Sequence, residues 1–178
     1  IITLGFWLCF LYQSIYNNFM HYERGLVIGR FQPFHNGHLY LMQKALESCL
    51  EIVIGIGSSN KEDYDNPFSP QIRRKMIELF IQDKNLQGRV SSIVEIPDHP
   101  SDDEWLDITH ERVGQFDVSF GDNDWVNTIF ENAGIPVVRI GFHNRIELEG
   151  WKIRELMRDG KEWRNRVPPY VAALIDSL

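Results

Sequence analysis

Two histidines, His35 and His38, stand three residues apart in the stretch Gly29-Arg30-Phe31-Gln32-Pro33-Phe34-His35-Asn36-Gly37-His38. An apolar run ending in glycine, Gly25 to Phe31, comes before them, and Leu39, Met42, Leu46, Cys49 and Leu50 recur after them at helical spacing. The pair therefore falls at the start of a helix, where free backbone N–H groups and the helix dipole attract anions. Two imidazoles at this spacing face one side of the first turn. They can donate hydrogen bonds to phosphate oxygens, and Gly37 lets the backbone come close to a ligand. The plain alternative is a polar turn whose histidines only cap the helix. No serine or cysteine nucleophile with a base and an orienting partner lies nearby, which disfavours covalent catalysis. The spacing also misses the zinc pattern of two histidines at i and i+4 around a glutamate.

The elements that must hold this pair alternate. Strands are predicted at 25–31, 51–57, 90–96, 116–120 and 136–140. Helices are predicted at 37–50, from Ser69-Pro70 through Phe80, at 103–113, from Trp125 toward Gly134, at 150–159, and from Pro168 to the end. Repeated β–α alternation implies an α/β fold, a Rossmann-like three-layer α/β/α arrangement with a parallel central sheet of about five strands. Ligands then bind beyond the carboxyl ends of the strands. No G-x-G-x-x-G follows the first strand, which argues against a generic dinucleotide binder.

The chain has 178 residues, enough for one ordinary domain. A hydrophobic share of 43% and a charged share of 24% exclude a disordered or fibrous chain. A formal charge of −7 disfavours a globally basic nucleic-acid binder. Cys9 and Cys49 are too few for a disulfide framework or a cysteine-rich zinc site. A reducing, cytoplasmic setting is the expectation. Residues 1–19 are strongly apolar, and no Lys or Arg precedes Arg24. They lack a signal peptide's positive region and fall short of a bilayer span. They read as translated upstream sequence or a disordered extension, with a membrane anchor and an extra packing element as alternatives. The single domain is 20–178, and no stable membrane partner is expected.

The segment around His35 and His38 resembles the H-x-G-H signature of the nucleotidyltransferase superfamily. From about Glu23 to Ile175 the chain is similar to the archaeal-type nicotinamide mononucleotide (NMN) adenylyltransferases. Supporting stretches are Ile54-Gly55-Ile56-Gly57-Ser58, Asn66-Pro67-Phe68-Ser69 with Arg73, and Ile96-Pro97-Asp98 with Trp105. The resemblance implies transfer of AMP from ATP to NMN, with NAD and pyrophosphate as products and no enzyme-bound intermediate. It implies His35, His38, Arg30 and Arg154 as catalytic residues. It places Gly29, Arg30, Phe31, Gly37, His38, Gly150 and Arg154 at ATP, and Arg73, Asp98, Trp105, Gly121 and Asp122 at the acceptor. Mg²⁺ would be held mainly by phosphate oxygens and water, without dedicated protein ligands. Homo-oligomers are frequent in the family, although no interface signature is legible in this chain.

The family's second signature, a serine-glycine-threonine stretch and then an arginine, departs here to Glu149-Gly150-Trp151-Lys152-Ile153-Arg154. Both hydroxyls are gone, and Glu149 brings a negative charge toward a triphosphate. Asp122 stands where the family usually has asparagine. Each candidate has a plainer reading. Arg73 could belong to a solvated charge run with Arg74 and Lys75. Trp105 could be core, Asp98 a helix cap, and Lys61 a solvated loop residue. The competing functions are nucleotidyl transfer to another phosphorylated acceptor and an ATP-binding sensor without turnover.

Overall fold

The computed structural model describes residues 22–141 and 148–178, so the expectations for 1–19 and for Met20 lie outside the described residues. The strands are β1 (Tyr22–Gly29), β2 (Cys49–Ile56), β3 (Val90–Glu95), β4 (Val118–Phe120) and β5 (Val137–Val138). Among the described residues the helices are α1 (Asn36–Ser48), α2 (Pro70–Asp83), α3 (Asp102–Val113), α4 (Asp124–Asn132), α5 (Gly150–Arg158) and α6 (Pro169–Asp176). A short 3-10 turn, Arg164–Arg166, which the sequence pattern did not reveal, precedes α6.

The described strands form one parallel sheet in the order β3-β2-β1-β4-β5. Side chains alternate across it, as a two-residue period requires. Val27, Ile52, Ile54 and Ile56 face a core built with α1, α2, α5 and α6. Leu26 and Val53 face a second core built with Trp105 and Val113 of α3 and Val126, Ile129 and Phe130 of α4. This is the expected three-layer architecture. After β1 the chain builds outward in one direction through α1 and α2, then returns past β1 to build the other half. The reversal falls between β1 and β4, the place where such sheets open a crevice at their carboxyl ends.

Local boundaries differ from expectation where tertiary pairing takes over. Cys49 and Leu50 sit at helical spacing from Leu46, yet they begin β2, because Cys49 is extended (φ −121°, ψ 151°) and pairs with Tyr22. The apolar side chain fits either element, and the neighbouring strand decides. β1 stops at Gly29, and Phe31 turns into the left-handed region at φ 52°. Its ring is fully buried, stacked on Phe34 at 5.9 Å and edge-on to His38 at 4.8 Å. That packing holds the exit from β1 in place.

Candidate nucleotide-binding site

A cleft of about 500 Å³ opens at the β1/β4 reversal. Gly29, Arg30, Phe31, His35, Gly37 and His38 line it from β1 and α1. Gly121, Asp122, Asn123 and Asp124 line it from the exit of β4. Glu149, Gly150, Trp151 and Arg154 line it from α5. Most of the residues expected at the site therefore meet, although they come from three distant parts of the chain.

The two histidines are fixed by each other. His35 caps α1: its Nδ1 accepts from the backbone N–H of Gly37 at 3.1 Å and of His38 at 3.3 Å. His38 answers, its Nδ1 accepting from the His35 N–H at 3.2 Å. The arrangement is a capping box built from imidazoles. A ring nitrogen that accepts carries no proton, so each neutral ring bears its proton on Nε2. Gly37 has a role beyond giving a ligand room. A Cβ there would lie 3.0 Å from the His35 ring, closer than an ordinary contact, so glycine spares this cap a shift of the ring. The two rings stack with centroids 3.6 Å apart. Burial pushes the His35 pKa down to about 4. His38 is held well below its ordinary value by burial first, then by the neighbouring His35 and by Arg30. At neutral pH both are uncharged donors. Among the described residues, the fixed cations lining the cleft are Arg30, which is exposed, and Arg154.

Arg154 is 3% exposed. Its Nη1 donates to the Gln32 carbonyl at 2.8 Å and its Nη2 to Asp65 Oδ1 at 3.2 Å, while Nε has no hydrogen-bond partner. Gly150 eases this seat, since a Cβ there would press on the Gln32 carbonyl oxygen at 3.1 Å and touch Arg154 Nη1 at 3.4 Å. The acidic replacement Glu149 is restrained by its own helix. Its Oε2 accepts from Trp151 Nε1 at 2.7 Å and lies 3.4 Å from Lys152 Nζ. The Lys152 ammonium also sits 5.1 Å from the centre of the Trp151 ring. Asp122 Oδ1 accepts from the Gly141 N–H at 3.0 Å, joining the exits of β4 and β5.

Three expected acceptor residues do not reach the cleft. Arg73 is fully buried, and its guanidinium donates to the carbonyls of Arg30 (3.0 Å), Gly57 (2.7 Å) and Ser58 (3.3 Å). It ties together the exits of β1 and β2, so it is neither a solvated helix residue nor a free phosphate ligand here. Trp105 is 2% exposed, packed against Phe130 and covered by Trp125 at 4.9 Å. With no free face, its indole cannot serve as a stacking platform in this conformation. Of this pair the exposed indole is Trp125, whose Nε1 donates to Asp102 at 3.0 Å. Asp98 accepts from Ser58 Oγ at 2.9 Å and is fixed through its backbone to Asn60, beyond the end of β3 and outside the lining of the cleft. Lys61 is exposed, as its solvated reading required.

Sequence reasoning overlooked Gln32 and Asp65. The Gln32 side chain exchanges two hydrogen bonds with the backbone of Phe68, at 2.9 and 3.0 Å, and locks the motif loop to the segment before α2. An Asx turn at Asp63 was the available signal for the Asp65 loop. Asp63 Oδ1 accepts from the N–H groups of Asp65 and Asn66 and from the Asn66 side chain.

Residues 26–133 match the Cytidylyltransferase-like family. The nicotinamide-nucleotide adenylyltransferase of Haloarcula marismortui is 35% identical over 156 residues, covering 87% of this chain and 81% of its own length. That of Methanococcus aeolicus is 33% identical, with coverage of 87% and 89%. Among solved structures, a bifunctional NMN adenylyltransferase/ADP ribose pyrophosphatase from Francisella tularensis superposes with a TM-score of 0.72 at 22% identity. The match covers 87% of this chain and 49% of that one, so this chain spans about half its length. The same bifunctional protein has been solved with AMP and a manganese ion, and matches with a TM-score of 0.69. At this identity the likeness is one of fold.

Proposed function

The chain belongs to the Cytidylyltransferase-like family and, within it, to the nicotinamide-nucleotide adenylyltransferases, and from that premise we infer that it transfers AMP from ATP to NMN. An oxygen of the NMN 5′-phosphate forms a bond to the α-phosphorus of ATP. The bond from that phosphorus to the bridging oxygen breaks, and pyrophosphate leaves with the electron pair. NAD is the second product.

The observation that carries this reading is the stacked, neutral histidine pair at the head of α1, with Nδ1 of each ring occupied by backbone. Such rings have Nε2–H left to offer. They suit the oxygens of a triphosphate and cannot use Nδ1 as a base. Charge that builds on the transferring and leaving oxygens is stabilised by fixed donors in a cleft partly closed to water. In this reading His35 and His38 donate to the ATP phosphates, and Arg30 and Arg154 supply positive charge. The start of α5, which no side chain caps, presents its N-terminal dipole on the facing wall. The acceptor enters from the β4 side, past Gly121 and Asp122. Arg73 acts at one remove, holding the loops that carry Arg30 and Ser58.

The residues present fit a divalent cation that arrives on the nucleotide. Among the described residues no group of three or more histidine, cysteine, aspartate or glutamate side chains could hold a metal ion. Of the carboxylates lining the cleft, Asp122 and Glu149 already accept from Gly141 and Trp151. When bound, Mg²⁺ would be held by phosphate oxygens and water and would neutralise the departing pyrophosphate. Among the described residues no helix is long and apolar enough to cross a membrane.

The test is incubation of the protein with ATP, NMN and Mg²⁺, with NAD read by a coupled dehydrogenase and pyrophosphate measured in the same tube. Equal yields of the two are expected. ATP binding without NAD overturns the reading, and a screen of other phosphorylated acceptors then separates a different transferase from a sensor.

A further inference from the structure

Among the described residues Arg154 is a buried cation on the wall of the cleft, and Asp65, from a loop outside the cleft lining, is already hydrogen-bonded to it. Asp65 Oδ1 is 3.2 Å from Arg154 Nη2. The two partners differ greatly in their surroundings, with 4% of the Arg154 side chain exposed against 65% of that of Asp65. A guanidinium enclosed in this way needs an anion or a carbonyl at each N–H it can supply. Nη1 has the Gln32 carbonyl, Nη2 has Asp65, and Nε has nothing. The carboxylate arrives from solvent, on a loop whose shape is set elsewhere. The Asx turn at Asp63 and the bridge between Asp63 and Asn66 fix the backbone around it. The loop is braced further by Arg158, whose guanidinium lies 3.9 Å from the centre of the Tyr64 ring. Asp65 can therefore let go of Arg154 without unravelling its own turn.

We propose that Asp65 is a stand-in for substrate phosphate: it neutralises Arg154 while the cleft is empty and releases the guanidinium to a phosphate oxygen when the nucleotide binds. This rests on the placement of the triphosphate beside Arg154 in the function inferred above. Charge comparison favours the exchange. An exposed carboxylate held by one hydrogen bond is a weak partner. A phosphate brings more charge and several oxygens to the same enclosed guanidinium. Asp65 then weakens apparent nucleotide affinity, because each binding event must first release it, and it spares the free protein an unneutralised buried cation. The residue determines affinity without touching the reacting atoms.

The experiment compares the full chain with Asp65→Asn, Glu62→Gln, Arg154→Ala and the double variant Asp65→Asn/Arg154→Ala. Two readouts are used: kcat and KM for ATP in NAD formation, and the rise in melting temperature on adding inorganic tripolyphosphate. Asp65→Asn keeps the side-chain shape and its backbone setting. It is expected to lower KM for ATP by about two- to fivefold with kcat within about twofold, and to enlarge the tripolyphosphate shift. Glu62→Gln removes the same charge from the same exposed loop and is expected to change neither readout. In the Arg154→Ala background, Asp65→Asn is expected to have no effect on either. An unchanged or raised KM in Asp65→Asn overturns the proposal, the raised value meaning that Asp65 orients Arg154 for substrate. An equal gain from Glu62→Gln also overturns it, because the effect would then be loop charge alone. If the wild type makes no NAD, the inferred function fails by itself, and the tripolyphosphate arm still reads the exchange.

Discussion

Two helix N-termini look into the same cleft, and they are built in opposite ways. The first turn of α1 is closed by side chains: His35 and His38 accept its N–H groups and leave neutral donors facing the cleft. The first turn of α5 has no side-chain cap, and its N-cap residue is an acid, Glu149, tied to Trp151 and Lys152. An acid at a helix N-terminus stabilises the helix. The same charge opposes a triphosphate approaching that turn. One terminus thus has its hydrogen bonding settled before substrate arrives. The other carries a carboxylate that must be screened or moved. Asp65 on Arg154 repeats the second pattern one turn further into α5. The difference teaches that the α1 wall is organised by local sequence, whereas the α5 wall carries a buried cation whose partner comes from a distant loop.

The largest test of this contrast is His38→Ala. It removes a donor from the organised wall, and turnover should fall by about 10²–10³-fold with the circular dichroism spectrum unchanged. Near-full activity would remove the α1 wall from catalysis and leave only its capping role.

The next effect is on stability. The folded protein holds His35 at about 4 against an ordinary value of 6.5, so below pH 6.5 the unfolded chain takes up a proton that the native ring refuses. Stability from this group is fully present above pH 6.5 and is lost as the pH falls toward 4. It amounts to on the order of 3 kcal/mol if fully expressed. His35→Asn keeps a capping side chain and removes the titration. The melting temperature of the wild type should therefore fall more steeply between pH 6.5 and 4 than that of the variant. Parallel curves would show that the α1 cap is not a buried neutral imidazole.

The smallest effect sharpens the α5 side. Glu149→Ser with Trp151→Thr removes the acid together with its indole restraint, and KM for ATP should drop several-fold, by less than about tenfold. An unchanged or raised KM would mean that Trp151 and Lys152 already hold the carboxylate out of the nucleotide's way.

These tests differ in how far sequence reading could anticipate them. The His35/His38 pair was legible because its partners are its own neighbours: three-residue spacing at a helix start fixes which way both rings face. The layer order was equally legible, since strands buried on both faces write near-continuous apolar runs such as Ile52 to Ile56. The α5 wall was legible only as a departure from a pattern. Glu149 could be seen to be out of place, but its hydrogen bond to Trp151 could not. Arg73 and Trp105 were harder still. Arginine and tryptophan are the side chains most suited both to binding a ligand and to filling a core, and residue type does not separate the two uses.

The sequence by itself determined the alternation of elements and the place of both histidines at the start of α1, because each depends on contacts within a few residues, while their capping of that helix was only its plainer alternative. Only the tertiary structure decided that Arg73 spans three backbone carbonyls, that Trp125 covers Trp105, and that Asp65 meets Arg154 across 89 positions of chain. A side chain is freed for a ligand or claimed by the scaffold according to which distant groups the fold brings within hydrogen-bond or van der Waals range. That competition is resolved in three dimensions.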